Sequence, residues 1–250
     1  MLLTGSITVT PQGAVQSYTV EKSTSLPAPV QRLLGQNVPH WRFEPVIRDG
    51  QAVAATASMH LRVVATPTDA DRYALRIASE WFGDKAGNDG LEYKNRTPPY
   101  YPGLALQDKV SGTVYLVAHI DMQGLVDKLA TEQVNLRVRG TASMMRSWRK
   151  VLADASKQAV AHWTFKVPAA GTSPHRDGWT VRIPISYSMR GYDTPQAHRY
   201  GQWTAYIPGP REKIPWLKPK AFDPDNADAL PDNGLYLAQQ SLHLLTTPKS

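Results

Sequence analysis

Residues 98–124 read PPYYPGLALQDKVSGTVYLVAHIDMQG, and the second half of this stretch has the pattern of a β-strand that ends in a glycine turn. Apolar residues occur at every second position, at Val114, Leu116, Ala118 and Ile120. A period of two places one face of a strand on a core. The glycine that follows accepts the positive φ of a tight turn. The stretch therefore predicts a β-hairpin.

A second copy of this pattern lies near the start of the chain. VTPQGAV at residues 9–15 matches IDMQGLV at residues 120–126, through a shared Gln-Gly-x-Val turn. In each copy an apolar helix pattern leads to a Trp-x-Phe segment, at residues 41–43 and 163–165, and an Arg-Asp-Gly turn then opens an alternating strand. The order strand, turn, strand, helix, strand predicts an α+β unit in which a helix packs on a small antiparallel sheet.

The two copies predict a domain organisation. The turn glycine and the tryptophan are 28 residues apart in the first copy and 39 in the second, so the second copy carries an insertion. We expect units at residues 1–66 and 98–190, a connector at 67–97 and a tail at 191–250. In the connector, Tyr73, Ile77 and Trp81 share one face of a helix, which predicts a helix over residues 68–82 and then a polar loop. The tail is rich in prolines and aromatic residues, and we expect it to lie along the folded surface.

Composition limits the classes of function. A hydrophobic fraction of 42% indicates a folded chain, and 28 Lys and Arg against 21 Asp and Glu give a net charge of +7 that favours anionic partners. The absence of cysteine excludes disulfides, thiolate catalysis and zinc-thiolate sites. No apolar run reaches the roughly 18 residues of a membrane span. We interpret the densest basic run as a solvated face, with a nucleic-acid or membrane patch as the alternative; it comprises Arg137, Arg139, Arg146, Arg149 and Lys150.

Catalytic and metal-binding patterns are sparse. Glycine-rich phosphate loops, Gly-x-Ser-x-Gly and His-Glu-x-x-His are absent, and no two histidines have ligand spacing, which predicts a non-enzymatic protein without cofactor or metal. An unrecognised active site would have to join at least two of His119, His175, Asp177 and Asp121. A further acidic cluster is interpreted as a solvated loop, with calcium binding as the alternative; its members are Asp223, Asp225, Asn226 and Asp228.

Tryptophan and tyrosine residues fall into two groups. Trp41 and Trp163 follow the apolar faces of helix patterns and are expected to anchor the cores. Trp203, Tyr206 and Trp216 lie among tail prolines without helix or strand periodicity. We expect this second group either to pack over the folded units or to recognise a peptide or a glycan.

The second copy resembles the TonB C-terminal domain family, the periplasmic modules with which energy transducers bind outer-membrane receptors. The likeness rests on the Pro-Tyr-Tyr-Pro segment at residues 99–102, the Gly-Thr-Val start at 112–114, the Ile-Asp-x-x-Gly-x-Val turn at 120–126 and the Trp-x-Phe segment. It covers about 90 residues. The first copy resembles the family more loosely, through VTPQGAV and HWRFEP at residues 40–45.

The resemblance implies two TonB C-terminal-like units and a binding mode. Members of the family bind by strand addition, in which an extended segment pairs with an exposed sheet edge. Here that edge would be residues 178–189, which include Pro184, and proline removes one hydrogen-bond donor from the ladder. The implied partner-binding residues are Pro99, Tyr101, Pro102, Trp179, Val181, Ile183 and Ile185.

Two functional hypotheses follow from the resemblance. The first is a periplasmic protein, exported by a leader absent from this chain, that binds a protein or an extended peptide or acts as a scaffold, as a monomer or homodimer and without nucleic acid. The second is the periplasmic part of an energy transducer for outer-membrane receptors, whose membrane anchor is missing from this chain.

Overall fold

Two antiparallel sheets with the same strand order, each packed against a helix, form the framework of the computed structural model. The structure describes residues 1–168, 177–189, 201–217, 227–232 and 234–246. It combines many strands with few helices, which agrees with the predicted α+β class.

The elements have the following bounds. The strands are β1 (Leu2–Val9), β2 (Val15–Val20), β3 (Val46–Arg48), β4 (Gln51–Val53), β5 (Ala55–Asp69), β6 (Arg72–Phe82), β7 (Glu92–Asn95), β8 (Gly112–Ile120), β9 (Val126–Leu136), β10 (Thr164–Lys166), β11 (Trp179–Tyr187) and β12 (Tyr236–Leu237). The helices are α1 (Ala28–Asn37), α2 (Gly103–Gln107) and α3 (Ala142–Val160), with 3-10 turns at Ser23–Ser25, Val38–His40, Ala86–Asp89 and Ala227–Ala229.

The two segments that match in sequence share one topology. The first sheet has the order β2-β1-β5-β6 and the second has the order β9-β8-β11-β12, while β3–β4 and β7–β10 form two-stranded ladders. In each sheet the first hairpin strand is central, its return strand lies on one side and the strand after the helix lies on the other. The second unit is larger, because β9 has 11 residues against 6 in β2 and α3 has 19 against 10 in α1.

The turn glycine of each unit contacts the Trp-x-Phe segment directly. Gly13 and Gly124 have φ values of 76° and 79°, and their carbonyls each accept a hydrogen bond at 2.8 Å, from the Phe43 and Phe165 amides respectively. A Cβ atom at either glycine would lie 2.0 or 2.1 Å from the phenylalanine carbonyl oxygen. Glycine is therefore required twice over, by its backbone conformation and by this close approach.

The predicted connector helix is wrong, because residues 72–82 form strand β6. This strand pairs with β5 from Met59↔Phe82 to Asp69↔Arg72. Residues four apart share a face of a strand as well as of a helix, so their spacing does not distinguish the two. A bulge in the β5–β6 ladder also places Ile77 and Trp81 on opposite sides of the sheet, although the sequence predicted them on one helix face. Ile77 joins the core under α1, and Trp81 faces the second sheet. The predicted loop that follows contains a 3-10 turn and β7.

The tail was expected to lie on the surface, but residues 227–230 are buried between the two sheets. Asp228 is only 2% exposed, and its carboxylate accepts hydrogen bonds from Ser79 of β6, Asn135 of β9 and Tyr206. Its backbone carbonyl accepts a 2.7 Å hydrogen bond from Arg62 Nε of β5. Asp228 therefore links the tail to both sheets. The prediction that the tail lies on the surface is wrong for residues 227–230, because hydrogen-bond donors in the interior stabilise the buried carboxylate.

A second charged pair lines the same interface. Arg182 of β11 donates to Glu132 of β9 with a 3.0 Å separation between Nε and Oε2, and both side chains are at most 1% exposed. Burial raises the pKa of Glu132, and the Arg182 charge opposes that effect. The Arg182 guanidinium also lies 4.6 Å from the centroid of the Trp81 ring. The second sheet thus contacts the first through buried polar side chains that lie beside an apolar cluster of Trp81, Tyr115, Ala229, Leu230 and Tyr236.

We expect Asp228→Ala to lower the free energy of unfolding by about 3–5 kcal/mol, because Arg62 would remain buried without its carboxylate partner. The measurement is urea unfolding followed by tryptophan fluorescence. Asp71→Ala at the exposed β5–β6 turn is the matched control, with a change within about 0.5 kcal/mol. Equal losses in the two variants would contradict a linking role for Asp228.

A candidate peptide-binding groove beside β11

The outer edge of β11 is partly covered by the tail. Val181 pairs with Leu237 and Arg182 with Tyr236, and the Ala238 amide donates to the Thr180 carbonyl at 2.8 Å. This segment is itself supported from its other side, where the Ala86 amide donates to the Leu235 carbonyl at 2.9 Å. The first half of the predicted edge is therefore already paired within the chain.

Pro184 directs its missing N–H toward this same outer edge. Along a strand, consecutive residues present their backbone groups alternately to the two neighbours. Thr180 and Arg182 present theirs to β12, so Pro184 does the same two residues later. The β8–β11 ladder consequently loses no donor, which is why a proline is tolerated here. The outer edge, by contrast, offers an acceptor but no donor at this position.

A groove of about 380 Å³ lies beside the second half of β11. Its lining residues are Arg96, Pro98, Pro99, Tyr101, Trp163, Ile185, Ser186, Tyr187 and Ser188. The family resemblance implied Pro99, Tyr101 and Ile185 as partner-binding residues, and the structure places all three along the groove, where Ile185 is only 3% exposed and offers chiefly its backbone.

The other four predicted residues lie elsewhere. Trp179, Val181 and Ile183 are fully buried in the core beneath α3, so they can offer a partner only backbone atoms. Pro102 is buried at the start of α2 and does not line the groove. Alternation along β11 explains this outcome, because the residues that mark the strand are those that face the core.

The aromatic rings of the groove have their polar atoms engaged inside the protein. The Trp163 indole N–H donates to the Thr97 carbonyl at 2.7 Å, and the Tyr101 hydroxyl donates to the Val110 carbonyl. The Tyr187 hydroxyl lies 2.9 Å from that of Ser156. Burial raises the pKa of Tyr187 to about 12, and it also raises the pKa of Tyr101, so both are neutral at pH 7. Trp163 and Tyr187 are only 2% and 3% exposed, so Tyr101 is the ring that offers most of its surface to the groove.

Arg96 is the one charged residue that lines the groove. Its guanidinium carbon lies 4.8 Å from the Tyr93 ring centroid and 5.2 Å from that of Trp163. Cations attract the negative faces of aromatic rings, and this stacking fixes the position of the side chain. Arg96, Trp163 and Tyr187 were missed as groove residues. The period-two pattern of β11 extends to Tyr187, but nothing in the sequence marks Arg96.

Other candidate residues from the sequence are not brought together. Asp121 serves the hairpin turn, where its carboxylate accepts from the Leu125 amide at 2.8 Å. His119 pairs with Asp127 at 2.6 Å, Asp177 is exposed outside the groove, and His175 lies outside the described residues. Across the described ranges, no group of three His, Cys, Asp or Glu side chains could hold a metal ion.

Two interpretations of charged segments need correction. The acidic cluster was interpreted as solvated, but Asp228 is buried, while its other three members lie outside the described residues. In the basic run, Arg137 bonds Asp232 at 3.0 Å and Arg149 donates to the Val134 carbonyl at 3.1 Å. Arg139, Arg146 and Lys150 are exposed. A solvated face therefore describes only part of that run, because Arg137 and Arg149 bond to neighbouring elements; Lys150 also pairs with Asp154 on the exposed face of α3.

The three aromatic residues of the tail differ in their burial. Tyr206 packs inside, through its bond to Asp228 and a 4.7 Å contact between its ring centroid and the Arg62 guanidinium. Trp216 is half-buried, and Trp203 is 44% exposed. Within the described part of the chain, no helix has both the length and the apolar character needed to cross a membrane.

The chain is similar to one characterised bacterial protein over part of its length. It is 30% identical over 97 residues to the protein tonB2 of Pseudomonas aeruginosa, a match that covers 39% of this chain and 31% of that protein. The chain thus spans about a third of its relative. No family model and no solved structure matches the chain. Over that segment the chain is therefore similar to a TonB protein.

His60 of β5 produces an expected pH dependence at the β12 contact. Its ring centroid lies 5.5 Å from that of Tyr236, and neither ring nitrogen has a hydrogen-bond partner. Burial, together with the charge of Lys85, lowers the pKa of His60 from 6.5 to about 4, and the charge of Asp84 opposes this shift. The unfolded state therefore binds the proton first as the pH falls. Stability from neutral His60 is complete above pH 6.5 and declines toward pH 4, by about 3 kcal/mol in total.

The test is unfolding by urea between pH 4 and pH 7. His60→Phe should lose that component of the pH dependence, whereas His162→Gln at an exposed position should keep the wild-type slope. A His60→Phe variant with an unchanged slope would contradict burial of a neutral imidazole.

Proposed function

We propose that this chain is a non-enzymatic, envelope-associated TonB-like protein that binds an extended segment of a protein partner in the groove beside β11. The observation that carries the proposal is the position of Pro99 and Tyr101 beside the part of β11 that lies beyond its pairing with β12. The similarity to tonB2 supports a TonB-related role, and a periplasmic location follows from it as part of the proposal.

The size and chemistry of the groove suit a peptide. Ligand pockets in proteins span about 300–1,000 Å³, and a groove of about 380 Å³ lies at the lower end of that range. An extended chain advances about 3.3 Å per residue, so such a groove accommodates a few residues of a longer segment. The ring hydroxyls and the indole N–H are engaged internally, so the polar side chains that line the groove are Arg96, Ser186 and Ser188.

Energy transduction is a second candidate function, and the similarity to tonB2 is the observation that favours it. It requires that the bound segment belong to an outer-membrane receptor. A protein of the first kind would instead accept a segment from another envelope protein or act as a scaffold. The two candidates share the groove and differ in the origin of the peptide.

We expect Tyr101→Ala to weaken peptide binding at least ten-fold, because it removes the central aromatic wall of the groove. The measurement is an NMR titration with 12-residue peptides of acidic-apolar, proline-rich and basic composition, and with peptides from periplasm-facing receptor segments. Tyr73→Ala, at a tyrosine that is 62% exposed on the β5–β6 hairpin, is the matched control and should bind as wild type does.

Loss of the Tyr101 hydrogen bond could also disturb the fold, so Ser188→Arg provides a second variant that fills the groove from its rim. Both variants should lose binding while their thermal unfolding stays cooperative. Absence of shifts at the groove residues with every peptide would overturn the proposal. Binding that both variants leave intact would overturn it equally.

A further inference from the structure

Arg96 supplies the charge of the groove, and aromatic rings beneath it fix its position. Its guanidinium carbon lies 4.8 Å from the Tyr93 ring centroid and 5.2 Å from that of Trp163, and these two rings pack edge to face with centroids 5.5 Å apart. The Trp163 indole N–H donates to the Thr97 carbonyl at 2.7 Å. The Tyr93 hydroxyl donates to the Gly234 carbonyl at 3.2 Å. Both rings are therefore anchored, and Arg96 is stacked on a rigid support.

The side chain of Arg96 is the part of this cluster that a ligand meets. Arg96 is exposed, whereas the Trp163 ring beneath it is only 2% exposed. Stacking uses the flat face of a guanidinium, while hydrogen bonds to a carboxylate use its edge. A cation that is held in place before binding also loses less conformational entropy when it binds. The arrangement therefore suits recognition of an anionic group.

The surroundings of the groove have an excess of positive charge. Among the described residues that line the groove, none is acidic. Arg137 donates to Ser186 of the groove, but its charge is offset by a 3.0 Å ion pair with Asp232. Glu92 of β7 lies opposite Lys166 in the β7–β10 ladder, so these two charges offset each other as well. Charge complementarity therefore favours an anionic ligand over a neutral or cationic one.

We propose that the groove selects partner segments that carry a carboxylate, which Arg96 binds while the neighbouring part of the segment contacts Tyr101. This inference rests on the proposed function and adds the chemistry of the ligand. A guanidinium pairs with a carboxylate through two parallel N–H···O bonds, and charge-assisted bonds are about twice as strong as neutral ones. The carboxylate belongs either to an Asp or Glu side chain or to the C-terminus of the partner, and the test separates these two sources.

Fluorescence anisotropy with three labelled peptides provides the test. One apolar 12-residue peptide has a central glutamate and an amidated C-terminus, the second has glutamine instead of glutamate, and the third combines glutamine with a free C-terminal carboxylate. Wild-type protein should bind at least one carboxylate peptide about ten-fold more tightly than the neutral peptide, because hydrogen bonds to charged groups are the stronger ones. The peptide that gains affinity identifies the source of the carboxylate.

Variants of Arg96 assign the preference to this side chain. Arg96→Gln should reduce the preference to within about two-fold and leave affinity for the neutral peptide unchanged, because only the charged contact is lost. Arg96→Lys keeps the charge without the planar fork and should retain part of the preference. Arg76→Gln, at an exposed arginine of β6, is the matched control and should keep the full preference. Added salt should weaken the preference of the wild type.

Two results would overturn the inference. One is equal affinity of the wild type for all three peptides, and the other is a carboxylate preference that folded Arg96→Gln retains. If Arg96→Gln fails to fold, the three peptides on wild type and on Arg96→Lys decide the question.

The outcomes also separate this inference from the proposed function. If all three peptides bind in the groove with equal affinity, the carboxylate is not recognised and the groove remains a peptide site. If no peptide of any composition binds, both are overturned.

Discussion

The buried carboxylate of Asp228 is the contact on which much of the architecture depends. A carboxylate in the interior is stable only if donors replace its water, and here the donors come from both sheets and from the tail itself. Because Asp228 fixes the tail between the sheets, it also positions residues 235–238, which close the first half of the β11 edge. The same tail therefore supplies both the buried link between the sheets and the strand that closes the first half of the edge.

The two units differ in how far the outer edge of their last strand is paired. In the first unit the last strand, β5, is paired along most of its length with β6. In the second unit β11 is paired with β12 at only two residue pairs. Removal of a ten-residue ladder would expose far more unsatisfied backbone than release of a short one. The first unit therefore has this edge covered along most of its length, whereas in the second unit the pairing with β12 ends at Arg182 and the groove follows.

The features predicted from the sequence are those that depend on local chemistry. The glycine turns and the Trp-x-Phe segments were predicted as a recurring pair, and in both units the turn carbonyl bonds the phenylalanine amide. Strand β6 was missed because a spacing of four residues fits a helix and a strand alike. The burial of Asp228 could not be predicted, since it depends on donors 22 to 166 residues distant in the chain. Among the groove residues, Pro99, Tyr101 and Ile185 were implied by the family resemblance as partner-binding residues, which stays a prediction, whereas Arg96 and Trp163 join the groove through tertiary packing.

Hydrogen exchange of β11 and β12 during peptide binding tests the central claim most directly, namely that the tail keeps the first half of this edge closed while the groove binds. The amides of residues 182 and 236–238 should remain equally protected when a groove-binding peptide saturates the protein, and protection should change only near residues 98–101 and 185–188. Rapid exchange at residues 236–238 on peptide addition would contradict the account, because it would show that the partner displaces β12 and adds to the edge as a strand.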